Sequence, residues 1–231
     1  MKGFIAYKED LKEKVPGVIV VHEWWGHDEY CRSRAVQLAE LGYVGFALDM
    51  YGEGKKACHP TEATTYMKES LASFDAASDR FGKAVETLKK HDACDSSNIA
   101  AIGYCYGGMV ALNMAKRGHD LKGVVAFHAS LAAPVKAEKG KCKAKFLVCN
   151  GEDDPMVTKE NIEDFKKECQ DAEISLNFIN YPGATHGFTN PAATAKGKEF
   201  GFPLAYNETA DKESWAENVK FLKEVFGKSE Q

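Results

Sequence analysis

Ile99-Ala100-Ala101-Ile102-Gly103-Tyr104-Cys105-Tyr106-Gly107-Gly108 is the stretch on which the reading of this 231-residue chain turns. Its first four residues form an apolar run of the kind found in a strand buried on both faces. Helical spacing resumes over Met109 to Lys116 and stops at Gly118. Between strand and helix stands Gly-x-Cys-x-Gly. A chain that reverses so sharply needs small residues on either side of the bend, because larger side chains there would strike neighbouring backbone. The bend lifts Cys105 above the sheet at the start of a helix. There the helix N-terminus favours an anionic sulfur, and the Tyr106 N–H points to where an oxyanion would form. An isolated cysteine reads as a small core residue. Two glycines at these offsets, with a strand before and a helix after, make it a candidate nucleophile.

Working outward, strand and helix alternate along the chain. Residues 3–7 read as an edge strand and Val18 to Val21 as a buried one. From about Glu29 to Leu41, Ala35, Leu38, Ala39 and Leu41 recur at helical spacing, and Gly42 follows. Tyr43 to Leu48 is the next strand. Residues 52–65 are polar and read as a loop or a small cap. Helical spacing returns over Tyr66 to Lys90, in one helix or two. Val124 to Phe127 and Phe146 to Cys149 are strands, 159–168 a helix and Ile174 to Tyr181 a strand. Residues 187–210 show no clear period and read as irregular. Asp211 to Phe226 closes the chain with a helix bearing Trp215, Val219, Leu222 and Phe226 on one face. The alternation predicts an α/β fold, a mostly parallel central sheet with helices on both faces. Without repeats or a linker, residues 1–231 read as one domain.

A nucleophile elbow of this type is followed along the chain by an orienting acid and then a base. The strand Phe146 to Cys149 runs into Asn150-Gly151-Glu152-Asp153-Asp154-Pro155-Met156-Val157, and Asp154 is the preferred acid, with Asp153 and Glu152 as alternatives. A carboxylate beyond a strand's C-terminal end is where an orienting acid must sit. The base candidate is His186 in Pro182-Gly183-Ala184-Thr185-His186-Gly187-Phe188, just past a strand. The other six histidines lack that setting in the last third of the chain.

Composition narrows the classes. The formal net charge is −4, so no basic stripe for nucleic acid or an anionic membrane is expected. No run of about 18 apolar residues occurs, and the opening apolar patch within residues 1–7 is too short for a signal-peptide core. The seven cysteines are an odd, scattered set that does not read as a disulfide framework. Reduced thiols point to the cytoplasm, with a removed leader left open. No CxxC occurs, and His22-Glu23-Trp24-Trp25-Gly26-His27 spaces its histidines five apart where a zinc-protease helix needs four. No metal is expected.

Four segments together, Val20-Val21-His22-Glu23-Trp24-Trp25-Gly26, Gly103 to Gly108, Asp154-Pro155-Met156-Val157 and His186-Gly187-Phe188, resemble the dienelactone hydrolase family in order and spacing. The resemblance runs from about residue 3 to residue 226. It implies an α/β-hydrolase fold and a cofactor-free hydrolase of small-molecule carboxylic esters or lactones, with Cys105, Asp154 and His186 as a catalytic triad. It also places Glu23 on the family's glutamate that helps take the thiol proton when substrate arrives. Trp24 falls where the second oxyanion N–H originates, beside that of Tyr106. Trp25, Phe188 and Asn190 are candidate substrate contacts. The family proper binds a substrate carboxylate with arginines, one of them four residues after the histidine. This chain has Asn190 there, which cannot form a bidentate ion pair. A neutral ester or lactone is therefore expected.

Two other classes remain open at this level. One is a thioesterase or acyltransferase on the same scaffold, and the other a non-catalytic binding protein that has kept the fold. The number of subunits is also left open.

Overall fold

In a computed structural model, residues 3–132 and 134–227 are described. The chain divides into two compact units, one ending at Ile102 and the other beginning at Gly103. Seven strands, mostly parallel, alternate with helices in an α/β fold.

The first unit is built on β1 (Gly3–Ala6), β2 (Val15–Val21) and β3 (Val44–Leu48). Every residue of β2 and β3 is buried, as continuous apolar runs require when both faces are covered. β2 and β3 are parallel, with Ile19 opposite Phe46, whereas β1 lies antiparallel on β3, with Phe4 opposite Ala47. Between β2 and β3, α1 (Glu29–Glu40) starts at the cap Asp28, whose carboxylate accepts from the Cys31 N–H at 3.1 Å. The expected loop over 52–65 is shorter than its polarity implied. His59 caps a helix that begins at Pro60, so α2 covers Pro60–Leu71. Proline at the first helical position costs no backbone donor the helix could use. The helical period over 66–90 belongs to two helices. Ser73 accepts from the Ala76 N–H at 3.2 Å and opens α3 (Phe74–Lys89). β4 (Cys94–Tyr104) then carries the chain into the second unit.

There, α4 (Tyr106–Lys116) is followed by β5 (Gly123–Phe127), β6 (Lys145–Gly151), α5 (Lys159–Asp171) and β7 (Leu176–Tyr181). β5, β6 and β7 are parallel, with Val125 opposite Leu147 and Val148 opposite Phe178. The segment 187–210 contains a helix that its composition conceals: α6 spans Ala193–Phe200, and α7 begins at Glu208. Only Ala193 and Gly197 of α6 are buried, so it carries no apolar stripe. Gly197 has a packing reason, since a Cβ there would lie 2.3 Å from the Leu204 carbonyl oxygen. The chain after α6 returns to the residues around His186. The Ala205 N–H donates to the His186 carbonyl at 3.2 Å and the Asn207 N–H to that of Phe188 at 3.0 Å.

Candidate active site

Cys105 stands between β4 and α4 with φ 53° and ψ −117°, left-handed backbone that a side chain rarely adopts. Its neighbours explain how the bend closes. A Cβ on Gly103 would lie 2.2 Å from the Gly107 carbonyl oxygen, and one on Gly108 2.6 Å from the Ala129 Cβ. Neither contact leaves room for any side chain. The Cys105 N–H donates to the Phe127 carbonyl at the end of β5 (2.9 Å), and the Cys105 carbonyl accepts from Gly108 and Met109. The nucleophile candidate is thus tied to the sheet on one side and to the first turn of α4 on the other. Tyr106 occupies the opening position of that helix, where N–H groups have no carbonyl four residues back within the helix.

Asp154 and His186 meet. His186 Nδ1 donates to Asp154 Oδ2 at 2.8 Å, and the second carboxylate oxygen accepts from the Met156 N–H at 2.8 Å. Asp154 is 4% exposed and bonded to His186, whereas its neighbours Asp153 and Glu152 are exposed. The loops that carry the pair are laced together by backbone. The Glu152 N–H donates to Tyr181 and the Asp153 N–H to Ala184, each at 3.0 Å. Gly151 allows this closeness, because a Cβ there would lie 2.5 Å from the Ala184 carbonyl oxygen.

His186 is 5% exposed, and its Nε2 is buried and makes no hydrogen bond of ordinary geometry among the described residues. Burial pulls the imidazole pKa down. The Cys105 sulfur, when ionised, and the Asp154 carboxylate outweigh burial and raise it from 6.5 to about 10. Cys105 itself is half-buried. The other deeply placed thiols are held neutral by burial, Cys149 and Cys169 pushed up to about 12 and Cys94 to about 11.

In the first unit, the residues after β2 form a fixed loop. Glu23 and Trp25 are buried and Trp24 is half-buried. The Trp24 and Trp25 rings meet edge-on at 5.0 Å, and the Trp24 carbonyl accepts from the Tyr51 hydroxyl at 2.8 Å. His22 organises this turn, a role its sequence setting did not suggest. Burial drives its pKa from 6.5 to about 4, leaving a neutral ring. Its Nδ1 then donates to the Glu23 carbonyl at 2.5 Å while Nε2 accepts from the Met50 N–H at 3.2 Å.

The three candidate substrate contacts, Trp25, Phe188 and Asn190, are all buried. Phe188 is wholly buried and packs on Tyr181 and His128, with ring centroids 5.6 and 5.3 Å away. Asn190 is also buried, and its Oδ1 accepts from the Ala192 N–H at 2.9 Å. One neighbour of His186 passed unnoticed in the sequence: the His128 ring lies 5.3 Å from that of His186, edge-on.

No helix among the described residues is long and apolar enough to cross a membrane. A mostly parallel α/β sheet, with a cysteine at a strand-to-helix bend and a hydrogen-bonded carboxylate–imidazole pair in the same unit, is an α/β-hydrolase fold. The family model for the dienelactone hydrolase family matches residues 1–226, and the chain belongs to that family of ester and lactone hydrolases. Among relatives, protein usf of Aquifex pyrophilus is 27% identical over 97% of this chain and 93% of its own length. Two solved structures are also similar. One, m3DLH, is 34% identical, covers 96% of this chain and 92% of its own, and superposes with a TM-score of 0.89. The other is a dienelactone hydrolase-like promiscuous phosphotriesterase, P91, from metagenomic libraries. It is 29% identical over 96% of this chain and 92% of its own, with a TM-score of 0.88.

Proposed function

We propose that this enzyme hydrolyses neutral carboxylic esters or lactones through a thioester on Cys105. His186 takes the thiol proton, and the sulfur attacks the carbonyl carbon. The tetrahedral oxyanion is held by the Tyr106 N–H at the start of α4. As the C–O bond breaks, the imidazolium returns its proton to the departing alkoxide, or to the ring-opened oxygen of a lactone. Water, deprotonated by His186, then attacks the thioester, and the thiol and acid are released. Asp154 holds the imidazole in the tautomer this exchange needs.

The observation that supports this best is the 2.8 Å Asp154–His186 bond, with Nε2 left over in the field of the Cys105 sulfur. The family resemblance adds two residues on motif position alone: Glu23, assisting proton removal, and the Trp24 N–H as second oxyanion donor. Thiolate expulsion favours acyl groups with good leaving groups, so activated esters and enol-type lactones are preferred over amides. Asn190 in place of an arginine supports a neutral substrate.

The test is turnover of p-nitrophenyl acetate. Cys105→Ala and His186→Ala should each reduce it to background, and full retention in either rules the scheme out. A panel with simple lactones, dienelactone and acyl thioesters then sets the substrate class.

A further inference from the structure

His128 follows the last residue of β5 and is fully buried. Its φ of 38° is left-handed backbone, sparsely populated outside glycine, though histidine is among the residues enriched there. Strain of this kind persists only where the surroundings over-determine it, and it clusters at functional sites. Here the surroundings are specific. The residue before, Phe127, offers its carbonyl to the Cys105 N–H at 2.9 Å, and the His128 N–H itself donates to Cys149 on β6 at 2.8 Å. The backbone bend at His128 therefore joins the nucleophile's turn to the strand that leads to Asp154.

The side chain goes to the third element of the site. His128 Nε2 and Thr189 Oγ1 lie 2.8 Å apart, both buried, which fixes the ring's rotation. So oriented, the ring meets His186 edge-on at 5.3 Å with an interplanar angle of 66°, and Phe188 at 5.3 Å and 77°. Asp154 constrains the His186 ring through one nitrogen only. A single hydrogen bond leaves rotation about its own axis open, and a packed ring against the flank removes that freedom.

We propose that His128, seated by Thr189, is a positioning residue that holds the His186 imidazole with Nε2 toward Cys105. It touches neither substrate nor the reacting atoms, and the inference rests on His186 being the base of the proposed reaction. Misplacement by about 1 Å is enough to cost about a hundredfold in rate.

The test uses Thr189→Val, which keeps side-chain shape and removes the hydroxyl, Thr189→Ser, which keeps the hydroxyl, and His128→Asn, which suits the left-handed backbone but has no ring. With p-nitrophenyl acetate, Thr189→Val and His128→Asn should lower kcat by about tenfold or more with KM nearly unchanged. Thr189→Ser should stay close to wild type. Values of kcat within twofold of wild type for both Thr189→Val and His128→Asn would overturn the proposal, as would equal loss in Thr189→Val and Thr189→Ser. Far-UV circular dichroism identifies any variant that fails to fold, and the Thr189 pair decides the matter if His128→Asn is lost that way. Cys105→Ala and His186→Ala in the same assay separate the two levels. Activity surviving in them would refute the triad, whereas inactivity there beside a normal Thr189→Val would refute the positioning role alone.

Discussion

The Asp154 carboxylate is shared between two donors, His186 Nδ1 through Oδ2 and the Met156 N–H through Oδ1, each at 2.8 Å. An acid held from both sides cannot rotate away from the imidazole, and its burial strengthens the interaction. Asp154→Asn keeps the shape but offers Nδ1 the wrong tautomer. Its kcat is expected to fall by about a hundredfold or more, with KM changed little. Asp153→Asn, on an exposed neighbour, is expected to stay within about twofold. Steady-state kinetics of the two variants side by side check this, and the reverse ranking would assign the acid to Asp153.

The elbow glycines are expected to fail on stability before chemistry is reached. Gly103→Ala would push a methyl group to 2.2 Å from the Gly107 carbonyl oxygen, which is backbone and cannot move aside. A loss on the order of 3 kcal/mol or more is expected. Gly42→Ala, at φ 86° with open space around it, carries only the left-handed strain, about 1 kcal/mol. Urea unfolding midpoints of both variants measure the contrast.

How legible this was in the sequence depended on whether a residue's task left a local mark. The buried strand before Cys105 and the paired glycines follow from sterics within ten residues, so the elbow could be read directly. Asp154 was preferred on spacing alone, and what spacing could not show is that Asp154 is buried against His186 while Asp153 is exposed. Helix α6 went unread because it buries only Ala193 and Gly197 and has no apolar period to find. His128 went unread for a different reason. Phe127-His128-Ala129 holds no glycine to announce a left-handed residue, and its partners Cys149, His186 and Thr189 are all distant in sequence.

The raised His186 pKa depends on its two anionic neighbours. Removing the sulfur in Cys105→Ala should lower it from about 10, and Asp154→Asn should lower it as well. Histidine titration by NMR reads this, and an unchanged value in Cys105→Ala would show that the sulfur does not face the ring. The linkage has a definite sign. The folded pKa lies above the ordinary 6.5, so the imidazolium's contribution to stability is whole below about 6.5. It is lost as the pH rises through about 10. The stability difference between wild type and His186→Phe should shrink across that window.

Thiol access differs sharply along the chain. Cys31, Cys94, Cys149 and Cys169 are buried, and burial raises each of their pKa values. Cys58 is exposed and Cys105 half-buried. Brief native labelling with iodoacetamide should therefore modify Cys105 and Cys58 and spare those four. Peptide mapping locates the label, and inactivation should follow Cys105 alone, so Cys58→Ser should not slow it.

The thioester can be sought directly. The enzyme is mixed with p-nitrophenyl acetate, quenched in acid during the first turnovers, digested and examined by mass spectrometry. One acetyl group is expected on Cys105, removable by neutral hydroxylamine and missing from Cys105→Ala. Acetyl carried by another residue on the turnover timescale, or undiminished hydrolysis by Cys105→Ala, would contradict the account.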